Sequence, residues 1–489
     1  MHQLIMGKRL ESTISTAFID TPRWLLLGLL VLAPWLYGGT EPWAITAINW
    51  SGGVAAGLWL LTCLLRQRMP DVPRGPAIVG MLLILLAWWM AWNAKFDYDA
   101  LQKEFRPREA WLAWAPGSVH REASLDMAWR VTVLMGVIFF ACDLACCSIW
   151  RWRLLWTIAF AGLSIVALGL AQGLTGATAI LWGNVPLDRS FFGTYRYHSN
   201  AGAYLNLVWP VVAGFFALTL LRGSGWQVRV AWGTALVFCG AGVLVTASRA
   251  AGVIALLLGG VWMLWLLRQA WLGQIEGVSH AMTGATAALL VLLMGGLAAV
   301  AGMETTARRW AKFDKEITLD NPRLQVAQAC LGMAPEAGLF GLGPGTFQSA
   351  FPYFAQGLQA NTRGVWEHAH NDYLETLAEW GGVGAVLWAV LVLGGIVRAT
   401  WLGWRHRERL GITERVTFSA MLTALSGVLI HAVVDYPLQI ASIQIYVGVM
   451  LGMFWGARHW LDLETPSESR HRRRSSKPSA AAKDSEKSF

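Results

Sequence analysis

The stretch WEHAHNDYLETLAEWGGVG, residues 366–384, packs Glu367, His368, His370, Asn371, Asp372, Glu375 and Glu379 into a few turns of a chain that is only 14% charged. It reads as the start of a helix. Asp372 followed three residues later by Glu375 fits a capping box, and Leu374, Leu377 and Ala378 begin an apolar stripe at helical spacing. Gly381 and Gly382 interrupt the stripe, and a hydrophobic run then carries on to about Val397. His370 sits just outside the helix N-terminus, where the local positive potential disfavours a protonated ring and attracts anions. A neutral imidazole beside an anion site can act as a general base.

The chain around this stretch is 489 residues long and 55% hydrophobic, with a mean hydropathy of +0.45. A membrane bundle is the broad class that fits. Read against about twenty residues per span, the apolar runs predict an all-α polytopic membrane protein of about twelve transmembrane helices. They centre near 24–39, 44–65, 75–92, 125–147, 153–173, 201–221, 230–247, 250–268, 281–302, 376–397, 416–434 and 441–459. The polar start, residues 1–23, reads as leading into a retained first helix and not as a cleaved signal peptide.

The formal charge of +9 does not indicate a nucleic-acid binder, because the basic residues lie mostly in short connections between apolar segments. Arg66, Arg68, Arg74, Arg151, Arg153, Arg222, Arg229, Arg268, Arg398 and Arg405 fall on one side with both termini, which makes that side the cytoplasm. The six cysteines give neither a disulfide framework nor a zinc spacing. Most of the 29 tryptophans read as interfacial anchors, and a few could be platforms for sugar rings.

Four units follow. Residues 1–302 carry helices 1–9, 303–375 form a large, partly helical periplasmic loop over the site, 376–460 carry helices 10–12, and 461–489 are a basic, disordered cytoplasmic tail. The longer loops share the outer face, and so do the candidate residues.

Arg249, in TASRAAG, opens an apolar helix. A charge there is costly unless it is paired or faces a polar cavity, the bland alternative being an arginine that snorkels to headgroups. Arg323, in NPRLQVAQA, opens a loop helix and could equally be a solvated charge. As a pair the two guanidiniums suit phosphate oxygens. Arg196, His198 and Asn200, in GTYRYHSNAGAYLN, read as a further pocket wall or as a helix cap. Glu367, His368, Asn371, Asp372 and Tyr373 complete the supporting pocket around His370. His368, His370 and Asp372 could instead ligate a metal, but no further ligand is evident and no metal is assigned. Asp435, in HAVVDYPLQ, reads as positioning a partner, and GLGPG at 341–345 as a hinge.

Taken in order, TASRAAG, NPRLQVAQ, GLGPGTF, HAHNDYLETLAEWGGVG and HAVVDYPLQI resemble the O-antigen ligase and O-antigen polymerase superfamily of bacterial inner-membrane proteins, over about residues 190–440. The ligase signature, His-Asn followed after nine residues by Gly-x-x-Gly, is met by His370-Asn371 and Gly381 to Gly384; Val253 departs from its arginine pattern, where leucine is expected. The resemblance implies a metal-independent, inverting glycosyltransferase without cofactors, with its active site facing the periplasm. Its donor would be an undecaprenyl-diphosphate-linked glycan, and its acceptor lipid A core or another glycan. His370 would be the catalytic histidine, and Arg249 and Arg323 would bind the diphosphate. Ligation and polymerisation need the same donor and the same site. A lipid-linked-sugar transporter, the alternative class, would place charges through the membrane midplane and show an internal repeat, and neither is seen in the sequence.

Overall fold

The computed structural model describes residues 2–184, 191–271, 322–355 and 366–461 and a few isolated positions between them, with the side chains of those residues from 19 onward except 266 and 269–271. Among these residues the helices are α1 (His2–Trp35), α2 (Pro42–Leu65), α3 (Arg74–Trp92), α4 (Arg121–Leu144), α5 (Ser148–Leu174), α6 (His198–Leu221), α7 (Trp226–Val245) and α8 (Arg249–Trp271). They continue with α9 (Pro322–Ala337), α10 (Phe347–Phe354), α11 (Asp372–Arg405), α12 (Ile412–His431) and α13 (Ala441–Trp455). Eleven of the twelve expected spans fall on these helices; the ninth, 281–302, lies outside the described residues, as do 303–321 and nearly all of the tail.

Among the described residues seven helices, α2 to α7 and α11, are long and apolar enough to cross a membrane, and Arg249–Trp265 and Ala441–Trp455 are shorter apolar helices. Their outward faces remain apolar: Leu64, Leu256 and Val397 are each more than 60% exposed. So much exposed hydrocarbon is expected of a surface solvated by lipid. The chain is a helical, multi-pass membrane protein.

α6 is the central post. Its residues are buried nearly all round, from Ser199 to Thr219, as expected of a helix that is apolar on every face. α5, α7, α8 and α12 pack around it, while α4 packs on α13 and α3 on α4 and α11. Arg130, a charge inside α4, donates from Nε to Gln444 Oε1 at 2.7 Å and from Nη2 to the Gln439 carbonyl, which ties α4 to the start of α13. Its burial is thus compensated by hydrogen bonds.

The connection between α3 and α4 contains a small antiparallel hairpin. β1 (Phe96–Asp99) pairs with β2 (Glu104–Pro107), Phe96 facing Pro107. Asp99 Oδ1 accepts from the amides of Leu101 and Gln102, which fixes the turn.

α11 departs from its sequence reading in three ways. Its N-cap is Asn371, whose Oδ1 accepts from the amides of Tyr373 and Leu374, so the cap lies one residue before the expected Asp372. The buried side is the acidic one: Asp372, Glu375, Ala378 and Glu379 point inward, while Leu374 and Leu377 are only half-buried. The helix runs through Gly381 with a kink, at φ 63° and ψ −173°.

The kink explains GLGPG. Gly341, at φ +82°, lies so close that a Cβ there would sit 2.1 Å from the Glu379 carbonyl oxygen. Leu342 and Gly343 donate to the carbonyls of Ala378 and Glu379, and Val383 donates to that of Leu339. Glu379 Oε2 and Oε1 accept from the amides of Gly345 and Phe347 at 3.0 and 2.9 Å. The glycine run is therefore a bonded splice into the kinked helix, where the sequence suggested a hinge. Glu379 faces inward because two loop amides need an acceptor there.

Candidate active site

Three consecutive residues ahead of and into α11 bond one short segment that follows α12. His370 Nδ1 lies 2.9 Å from Asp435 Oδ1, Asn371 Nδ2 donates to the Val433 carbonyl at 2.9 Å, and Asp372 Oδ2 accepts from the Leu438 amide at 2.9 Å. The Asp372 amide adds a bond to the Ala432 carbonyl. The HND triplet and the HAVVDYPLQ segment thus form one unit, although 65 residues separate His370 from Asp435.

His370 has φ +52°, in the left-handed region. A non-glycine residue there costs on the order of 1–3 kcal/mol, which the surrounding bonds must offset. Asp435 is 3% exposed at its side chain and also accepts from the Tyr436 amide and, at 3.3 Å, from the Tyr197 hydroxyl. Burial opposes its ionisation, but the His370 bond and the positive charge of Arg323 outweigh it and hold Asp435 well below the usual carboxylate range. An ionised carboxylate can only accept, so His370 carries its proton on Nδ1 and presents Nε2 as the basic nitrogen.

Arg323, at the start of α9, donates from Nη2 to the Tyr197 hydroxyl at 2.7 Å. Arginine, tyrosine, aspartate and histidine therefore form one chain of hydrogen bonds. Burial, with the Asp435 charge, pushes the Tyr197 hydroxyl up, so it stays protonated. Aromatic rings box the imidazole: Tyr436 and Trp366 meet it edge-on at 4.8 and 5.5 Å, and Tyr197 stacks parallel to Tyr436 at 5.8 Å. The exposed edge of such a box suits the apolar face of a sugar ring.

His368 turns aside. Its Nδ1 is 2.8 Å from Glu375 Oε1, and Glu375 Oε2 accepts from the Ala369 amide at 2.7 Å. Burial disfavours charge on His368, but the Glu375 carboxylate outweighs it and raises the pKa above that of an ordinary histidine. Glu367 is exposed. The Tyr373 hydroxyl donates to the Leu429 carbonyl at 2.8 Å, a clamp between α11 and α12.

Arg249 opens α8, directly after Ser248 in a turn where Ala247 takes φ +55°. Ser248 Oγ lies 3.3 Å from Ser199 Oγ, which in turn is 3.1 Å from His431 Nε2 on α12. This serine–histidine contact brings the Arg249 turn, the start of α6 and the end of α12 together. Arg196 instead pairs with Glu41 at the start of α2. Asn200 is buried within α6, and the His198 ring lies 4.8 Å from Tyr197.

The structure thus gathers His370, Arg323, Asn371 and Asp372 with the 431–438 segment, places Arg249 beside it, and leaves Arg196 and Glu367 outside. Ser199 and His431, which the sequence placed at a pocket wall and an outer helix end, join the candidate site; Tyr197, Ser248 and Tyr436 were not singled out, although YRYHSN, TASRAAG and HAVVDYPLQ contain them. His368, His370 and Asp372 take separate partners. Among the described residues, ligand atoms at metal spacing come from Asp71, Cys146 and His459, beyond the far end of α13.

Comparison with curated proteins finds no match. Comparison with family models matches residues 234–389 to the O-antigen ligase family. The matched span contains Arg249, Arg323 and His370, and lies between Tyr197 on one side and Asp435 on the other. Over that span the chain is similar to O-antigen ligases, which supports a place in the superfamily of O-antigen ligases and polymerases.

Proposed function

We propose that this protein transfers a glycan from an undecaprenyl-diphosphate-linked donor to an acceptor, in the manner of an O-antigen ligase, at the periplasmic face of the bacterial inner membrane. The observation that carries this reading is the chain Arg323–Tyr197–Asp435–His370, which joins an anion-binding group to a polarised base. A lipid diphosphate leaves with its charge concentrated on phosphate oxygens. Arg323 and Arg249 supply fixed positive charge for them, the task a divalent ion performs elsewhere, and the reaction proceeds without a metal.

His370 Nε2 takes the proton of the attacking acceptor hydroxyl, and Asp435 stabilises the imidazolium so formed. Attack opposite the leaving diphosphate inverts the anomeric carbon. Trp366 and Tyr436 flank the imidazole where a sugar would stack.

The test uses purified protein with a lipid-diphosphate glycan donor, either with lipid A core or alone, in the presence of chelator. Glycan on lipid A core that is absent with His370→Ala supports the ligase. A ladder of longer lipid-linked chains from donor alone identifies a polymerase using the same centre. Transfer undiminished in His370→Ala would refute the assignment of the base.

A further inference from the structure

A cavity of about 490 Å³ lies on the other side of the HND triplet, between α4, α11 and α13. It follows α11 from Asp372 to Leu393, roughly 30 Å at 1.5 Å per residue. Its lower part is hydrocarbon, with Trp388, Val392 and Leu451 in its walls. Its upper end is polar, formed by Arg130, Asp372, Glu379 and Gln444. An apolar slot with a polar collar, set along a membrane-spanning helix, has the polarity profile of a lipid.

Two features of the collar select among lipids. Asp372 is 2% exposed, and while its Oδ2 is bonded to Leu438, its Oδ1 is buried with no hydrogen-bond partner. A buried polar atom left so costs on the order of 1–3 kcal/mol, and a bound polar group would recover it. The collar also offers an anion little. Its one guanidinium, Arg130, already donates from Nε and Nη2 to Gln444 and the Gln439 carbonyl, and the carboxyl groups of Asp372 and Glu379 beside it bring no positive charge.

We propose that this cavity seats a hydrocarbon chain of the acceptor lipid, with an amide or hydroxyl group of that lipid donating to Asp372 Oδ1. The inference rests on His370 being the transfer centre, two residues away. The donor diphosphate then lies on the Tyr197–Arg323 side and the acceptor's chain on the α4–α13 side, so the two substrates reach the imidazole from different flanks.

Two photoreactive probes test this with purified protein in detergent: an N-acylglucosamine lipid with a diazirine in its acyl chain, and a diazirine derivative of farnesyl diphosphate. Cross-linked peptides are located by mass spectrometry. The glycolipid is expected to mark residues 385–393 or 447–451, and Ala389→Trp, which fills the slot, to reduce that labelling at least tenfold. Farnesyl diphosphate labelling should fall elsewhere and be unchanged. Ala385→Phe provides a second filling variant, with size-exclusion profiles checking that each is folded. Labelling by the glycolipid outside the slot, labelling unaffected by either folded variant, or farnesyl diphosphate on the same peptides overturns the proposal. Because labelling needs no turnover, it is read separately from the fate of His370→Ala: loss of the catalytic assignment would show in transfer, and loss of the acceptor site in labelling.

Discussion

Replacing Asp435 with asparagine changes one charge at nearly constant volume and tests the site where it is most specific. In the native arrangement Asp435 Oδ1 receives the proton of His370 Nδ1, and Oδ2 receives that of Tyr197. An asparagine has one accepting oxygen. If its amide nitrogen faces His370, the imidazole must accept at Nδ1 and carry its proton on Nε2, so the base is lost. If the nitrogen faces Tyr197, that contact becomes donor against donor unless the hydroxyl rotates. The loss of a charge-assisted hydrogen bond alone is about 1.5–3 kcal/mol, or roughly 10- to 150-fold in rate. Inverting the tautomer raises the ceiling to about 10⁴-fold, the scale known for an aspartate-to-asparagine change behind a catalytic histidine in another enzyme class. The assay is initial transfer rate at saturating and subsaturating donor. A 10²- to 10⁴-fold fall in kcat with a small change in KM is expected, and the double variant with His370→Ala should be no slower than His370→Ala alone, since the two residues act as a unit. A kcat within threefold of wild type would show that Asp435 is structural and that the imidazole does not depend on it.

Tyr197→Phe removes the hydroxyl that receives Arg323 and donates to Asp435; kcat/KM for donor should fall roughly 3- to 100-fold, one to two hydrogen bonds' worth, and an unchanged value would remove Tyr197 from the relay. Gly341→Ala would place a methyl 2.1 Å from the Glu379 carbonyl oxygen at a positive φ, so it should cost more than about 3 kcal/mol and lower the melting temperature or the yield of folded protein, whereas Gly332→Ala, with open space around it, should not. His368 has its pKa raised by Glu375, so its contribution to stability is fully present below the unfolded value near pH 6.5 and is lost as pH rises through the higher folded value. Thermal melts from pH 6 upward should show this decline in wild type and not in His368→Gln, and parallel curves would refute it.

The features that sequence could reveal were those written locally. Apolar runs of spanning length located the helices, and the carboxylates and imidazoles crowded into 366–384 marked the candidate site. The direction of those side chains was not local. Leu374 and Leu377 have the spacing of a buried stripe, yet Glu375 and Glu379 take the interior because the backbones at Ala369, Gly345 and Phe347 lack other acceptors there. That requirement arises from loops folded against the helix, and no periodicity contains it. Asp435 already read as positioning a partner, but that the partner is His370, and that Tyr197 joins them, became visible only when α6, α11 and α12 were brought together. GLGPG looked pliable because glycine permits many conformations; in the fold the same permissiveness admits one close contact with a kinked helix.

The stitching of three residues before and within α11 to 431–438 also defines what can be exchanged between relatives. The segment recognised by the family model stops within α11, while the carboxylate that orients His370 lies beyond it. A chimera that imports a foreign outer loop together with its own histidine inherits a base built for another chain's acidic partner. The smallest portable module is therefore two pieces of chain, the loop with its HND triplet and the short turn after α12, and they would have to be transplanted, or to diverge, as a matched pair.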